Sequence, residues 1–339
     1  MRSQPTIRYI FLLGCFFYCI HCQTPGRSEE VLQRDDPGFF GSIFSEKMLD
    51  FDLTFDWDSL TGHLESEEKV PAILHIGDYI FDSIEISGRG VTRKKICEFP
   101  PLHLNFSSKI RDKYHWGKYK KYKLVTHCNA ENDPGDLVLR EFLVYRLYNI
   151  LTPFSLRVQL CQVMYKTGRP EIKHYAFIIE DDDEMADRLQ SEILKEKDGA
   201  VKQIDKREYQ KLVMFQYMIG NTDWNLSQRH NIKFLTRADN LFAIPVPYDF
   251  DYSGIVNAPY ATPYPSLPIK NVRERLWQYR GREDDDFSEI EQIFRDNKTA
   301  FISQIDSLDA LSEEMRKEMI NYLLSFYEEL EARDLHSKN

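Results

Sequence analysis

The stretch that most constrains this chain runs from Phe215 to Gly254: FQYMIGNTDWNLSQRHNIKFL, a short turn-rich connection, then LFAIPVPYDFDYSG. Its apolar runs predict a buried helix over Tyr209 to Ile219, followed by two short strands. Asp223 and Asn231 then fall on the loop between the helix and the first strand, and Asp249 and Asp251 at the end of the second. Polar groups clustered at the mouths of buried elements suit a metal–nucleotide complex. Such a complex needs one carboxylate to accept a hydroxyl proton. It also needs an amide and one or two carboxylates to hold the ion against the phosphates.

A chain of 339 residues with 42% hydrophobic and 13% aromatic content can bury a large core, as one two-lobed domain or two packed ones. Its net charge of -10 argues against nucleic-acid binding, which needs a basic face. Residues 1–22 carry Arg2 and Arg8 ahead of an apolar run from Tyr9 to Ile20, and read as a cleaved secretory signal; an uncleaved anchor is the alternative. Lipidation at Cys15 or Cys22 is a minor variant. No later stretch is long and apolar enough to span a bilayer, so no integral membrane span is expected in the mature chain. The expected location is secreted or periplasmic. Without the leader, Cys97, Cys128 and Cys161 remain; a Cys97–Cys128 bridge and three buried thiols are both compatible with the pattern.

Residues 23–42 read as a linker and 43–179 as a sheet-rich unit; 180–339 read as a mainly helical one. The turn Ser87-Gly88-Arg89-Gly90-Val91-Thr92-Arg93 offers backbone amides, Arg89 and Arg93 to phosphates, and also reads as an ordinary hairpin turn. Lys123 lies on a strand over Tyr122 to His127, with Glu141 eighteen residues on in a helix from about Leu137 to Leu151. A lysine and a glutamate so placed form the ion pair that grips nucleotide phosphates in kinase-like sites; otherwise Lys123 is a solvated strand residue. Glu180 ends the strand before the acidic run Asp181 to Glu184, where a hinge could hydrogen-bond an adenine. A proline-rich loop, ATPYPSLP, and two amphipathic helices near 287–305 and 312–333 complete the chain. Signatures of a hydrolase elbow, a zinc protease and a P-loop are missing.

Arg89-Gly90-Val91-Thr92-Arg93 with Phe99-Pro100, DPGDLVLREFLVYRLYN, the strand ending IIE, and the pair GNTDWNLSQRHN and PYDFDYSG together resemble the CotH family of secreted kinase-like proteins. More distantly they are similar to HipA-like and lipid-kinase-like atypical kinases. The resemblance implies an α+β fold: a two-lobed atypical protein-kinase-like arrangement with an antiparallel sheet lobe and a mainly helical lobe. It also implies transfer of phosphate from ATP, with Mg²⁺ or Mn²⁺, to Ser or Thr of a protein substrate. Asp223 would be catalytic, and Asn231, Asp249 and Asp251 would hold metal. Lys123 and Glu141 would grip the phosphates. Two departures from the family pattern stand out. Phe99-Pro100 is followed by Pro101-Leu102-His103 rather than a lysine pair, and Asn231 lies eight residues after Asp223, so Asn225 is a second candidate for its role. The alternative function is a catalytically inactive kinase-fold protein that binds or assembles in the cell envelope.

Overall fold

The computed structural model describes residues 38–129, 136–195, 203–237, 240–282 and 284–337. The leader, most of the linker and the Asp133-Pro134-Gly135 turn lie outside the described residues.

Seven strands form the first unit: β1 (Leu49–Phe55), β2 (Val70–Ile76), β3 (Tyr79–Gly88), β4 (Leu102–Phe106), β5 (Lys121–Val125), β6 (Val158–Lys166) and β7 (Ile172–Ile179). Their order is β1-β2-β3-β4-β5-β7-β6, and the sheet closes on itself as a barrel. All pairings are antiparallel except the last, in which β1 runs parallel to β6 from Leu49 opposite Cys161 to Thr54 opposite Lys166. This overturns the expected two-lobed kinase-like fold with an open antiparallel sheet. The physical reason is edge pairing: β1 and β6 would be the free edges of an open sheet, and joining them satisfies both rows of backbone groups.

Alternation along the strands fills the barrel. In β2, Val70, Ala72, Leu74 and Ile76 are buried while the residues between them are exposed. A short helix α1 (Phe39–Ile43) adds to this core, with Phe39 against the rings of Phe106, Trp116 and Tyr122. Phe39 and Phe40 are fully buried, so the expected linker ends before them.

Short helices α2 (Trp57–Gly62), α3 (Arg93–Ile96) and α4 (Ser108–Tyr114) interrupt the barrel strands. KKICEF forms α3 and the turn after it, and a disulfide joins Cys97 there to Cys128 just past β5. Cys161 is a buried free thiol.

A second core is built by α5 (Asp136–Leu151), α6 (Asp182–Arg188), α7 (Lys206–Ile219), α8 (Ser288–Asp306) and α9 (Glu313–Ser337). With them stands a three-stranded sheet of β8 (Glu192–Ile193), β9 (Ile232–Arg237) and β10 (Asn240–Pro247). Helix α5 is buried over most of its surface and packs on both barrel strands and α8. Among the described residues, no helix is long and apolar enough to cross a membrane.

Candidate functional site

Two loops carry the acidic residues, and two glycines lock them together. Helix α7 ends at Gly220 with φ +65°, a left-handed conformation that suits glycine. Gly254 donates its amide to the Gly220 carbonyl at 3.1 Å, and a Cβ on Gly220 would meet the Tyr322 hydroxyl at 2.0 Å. The segments GNTD and DYSG are therefore held side by side.

Asn231 and Asp249 face each other across the ends of the β9–β10 hairpin. The Tyr248 amide donates to the Asn231 carbonyl at 3.1 Å, next to the Pro247–Ile232 pair. Both Asn231 (φ +53°) and Asp249 (φ +64°) take the left-handed conformation that Asn and Asp tolerate better than most residues. The Asp249 amide is held in place by donating to the Tyr145 hydroxyl oxygen of α5 at 2.9 Å.

Asp223 is the hydrogen-bonding centre. Its Oδ1 is 2.9 Å from His230 Nε2 and accepts from the Tyr264 hydroxyl at 3.0 Å; its Oδ2 accepts from Asn231 Nδ2 at 3.0 Å. Asn231 Nδ2 also donates to the Asp223 carbonyl at 2.8 Å, which leaves the Asn231 Oδ1 available to a ligand. A carboxylate has about four acceptor positions. One on Asp223 Oδ2 therefore stays open.

Glu141 lies on α5 one turn before Tyr145, beneath Asp249. Its cationic partner among the described residues is Arg93, with Nη1 at 3.5 Å, and Arg93 also donates to the Thr126 carbonyl. The Cys97–Cys128 disulfide fixes the chain on which Arg93 sits. Burial, then the neighbouring Asp251, push the Glu141 carboxyl up to about 8 against the pull of Arg93. Burial and Asp249 likewise raise Asp251 to about 7, although Arg93 and a 3.0 Å hydrogen bond from the Tyr260 hydroxyl oppose the shift.

These groups line one cleft of about 590 Å³, closed on one side by Arg89 to Arg93 and on another by Thr262 to Pro265. Arg89 also lines the cleft, and its charge adds to the pull of Arg93 on Glu141. Burial is the larger cause of both shifts and the neighbouring acids the next, and the opposing arginines do not offset them, so further positive charge would be favoured here. A divalent cation would supply that charge, and the oxygen donors are of the kind Mg²⁺ and Mn²⁺ take. Among the described residues, no three His, Cys, Asp or Glu side chains converge closely enough to hold an ion by themselves. An ion here would therefore draw on no more than two carboxylates, Asp249 and Asp251, with Asn231 Oδ1, phosphate oxygens and water completing its shell.

The cleft thus brings together Arg89, Arg93, Glu141, Asp223, Asn231, Asp249 and Asp251. Two expected residues stand elsewhere. Lys123 does not pair with Glu141; its Nζ lies 3.8 Å from Asp182, which also takes Lys233 at 2.9 Å, and both lysines sit over the Tyr248 ring. Burial lowers the Lys123 pKa, with Asp182 opposing. Glu180 lies outside the cleft. Its amide donates to the Arg157 carbonyl and its carboxylate is clasped by Arg157 and Arg188. Asn225 is turned away into its own loop, where its Oδ1 accepts from Ser227 and the Gln228 amide. His230 and Tyr264 were not expected at the site. Their sequence signals were adjacency to Asn231 and a place in the proline-rich loop.

No family model and no curated protein matches the chain. Among solved structures it is similar to the Helicobacter pylori proinflammatory kinase CtkA, with a TM-score of 0.39 and 12% identity over 72% of this chain and 91% of that one. A likeness that weak fixes neither fold nor chemistry. Membership of the CotH family is not shown.

Proposed function

We propose that this cleft binds a nucleoside triphosphate with a divalent cation and transfers its terminal phosphoryl group to a hydroxyl. The observation that carries the reading is the under-neutralised acidic cluster of Glu141 and Asp251 beside Asp249, facing the arginines of the Arg89–Arg93 turn. Phosphoryl transfer relies mainly on positioning and charge neutralisation, and this arrangement provides both.

In this reading Arg89 and Arg93 hold the phosphates, and Asp249, with Asn231 Oδ1 and Asp251, holds the cation. The cation would neutralise charge on the phosphates. Asp223 accepts the proton of the acceptor hydroxyl, while His230 and Asn231 fix its orientation. The hydroxyl oxygen bonds to the γ-phosphorus, the bond to the β–γ bridging oxygen breaks, and the nucleoside diphosphate leaves with that electron pair. The finer form of the proposal is CotH-type transfer from ATP to Ser or Thr of a protein outside the cytoplasm. The apolar leader and the Cys97–Cys128 disulfide support an oxidising compartment.

The test is phosphate incorporation from labelled ATP into casein, with Mg²⁺ or Mn²⁺. Asp223→Ala is expected to keep nucleotide binding and lose transfer by about 100-fold or more. Asp249→Ala is expected to lose metal-dependent binding with the fold retained. Unchanged affinity for Mg²⁺-ATP in Asp249→Ala overturns the site. A binding protein without turnover is the second reading. It is favoured by the absence of a self-sufficient metal cluster among the described residues, and predicts ATP binding with no transfer.

A further inference from the structure

Asp223 already has a hydroxyl on it. The Tyr264 side chain reaches in from the proline-rich loop and donates to Asp223 Oδ1 at 3.0 Å, where a hydroxyl about to lose its proton would sit. Tyr264 lines the cleft that holds Asn231, Asp249 and Asp251, yet it is 54% exposed. Its loop runs Thr262-Pro263-Tyr264-Pro265, mostly exposed, with a turn closed by the Leu267 amide on the Tyr264 carbonyl. Tyr260 shows the contrast. Its hydroxyl donates to Asp251 in the same way, but its ring is half-buried and lies tilted against Tyr252.

We propose that Tyr264 occupies the acceptor position of the cleft and is a self-modification site, the first hydroxyl the chain phosphorylates. The inference rests on the phosphoryl-transfer reading above and names an acceptor for it. In the step, Tyr264 Oη bonds to the γ-phosphorus and the bond from that phosphorus to the β–γ bridging oxygen breaks. The nucleoside diphosphate leaves with the electron pair, and the phenolic proton passes to Asp223. Burial and the neighbouring Asp223 raise the Tyr264 pKa, so the hydroxyl keeps its proton until a base removes it.

The product would not stay. A phosphotyrosine carries about -1.5 to -2 charge at neutral pH, next to Asp223 and close to Asp249 and Asp251. Repulsion would drive the modified side chain out of the cleft, and its exposed loop lets it go. Expulsion uncovers Asp223 for another acceptor. The same side chain also walls a neighbouring cavity of about 550 Å³ that includes Trp224, Leu226 and Arg280, so its departure joins the two spaces.

The experiment incubates the full chain with Mg²⁺ and labelled ATP, in the presence and absence of casein, and maps phosphopeptides by mass spectrometry. The expected result is phosphate on Tyr264 at a rate independent of protein concentration, as transfer within one molecule requires. Tyr264→Phe keeps the ring and is expected to abolish that phosphopeptide with no other site taking its place. Casein labelling by the wild type with no phosphate on Tyr264, or a rate that rises with protein concentration, overturns self-modification and leaves phosphoryl transfer standing. Labelling of neither Tyr264 nor casein overturns both.

Discussion

Glu180 and Glu141 are both buried, at 1% and 2% exposure, and their surroundings differ in kind. Glu180 accepts from the Arg157 amide at 3.0 Å, from Arg157 Nε at 3.0 Å, and from Arg188 Nε and Nη2 at 2.8 and 2.9 Å. Two guanidinium groups surround one carboxylate. Glu141 shares Arg93, at 3.5 Å, with Asp251, and Asp249 adds a third acid to the same neighbourhood. A closed network holds a fold together; an open one is set up to receive charge. The difference separates a structural ion cluster from a candidate site more sharply than burial does.

The largest effect is expected from breaking the closed network. Glu180→Leu leaves Arg157 and Arg188 without their shared partner and should cost about 3 kcal/mol or more. Thermal or urea unfolding reads this directly. Nucleotide affinity measured well below the melting point should not change, since Glu180 lies outside the cleft.

A smaller effect of opposite sign is expected from Glu141→Gln. The folded carboxyl titrates at about 8, above its ordinary value near 4.5, so the folded state binds the proton more tightly than the unfolded one. Wild-type stability therefore falls as pH rises from about 4.5 to about 8. Gln cannot ionise and escapes that loss. The variant should match the wild type most closely near pH 5 and exceed it by a margin that grows until about pH 8. Equal stabilities at both pH values would mean that Glu141 is as well neutralised as Glu180.

Sequence reasoning reached the cleft better than the architecture around it. GNTDWNLSQRHN and PYDFDYSG each end in a glycine or asparagine turn at the edge of an apolar run, and that local chemistry marks Asp223, Asn231, Asp249 and Asp251. Barrel closure had no such mark. It depends on β1 pairing with β6, more than a hundred residues away, and strand alternation looks the same in an open sheet as in a closed one. Phe39 and Phe40 sit in a polar, glycine-flanked segment, so their burial is a tertiary fact. The partner of Glu141 was misjudged for a similar reason. Spacing pointed to Lys123, but the disulfide and α3 bring Arg93 to Glu141, while Lys233 on β9 and Asp182 on α6 engage Lys123. Glu180 followed strand-end logic, and only the approach of Arg157 and Arg188 shows it to be saturated.

The most direct measurement is calorimetric titration of the protein with Mg²⁺-ATP at pH 7 in two buffers of different ionisation enthalpy, which counts protons exchanged on binding. With Glu141 and Asp251 raised to about 8 and 7, an incoming cation should strip protons from the pair, and net release of a fraction of a proton to about one proton is expected. Glu141→Gln should reduce that release. Binding with no proton exchange, or no binding at all, would contradict the claim that this cluster is built to be completed by a cation and a phosphate.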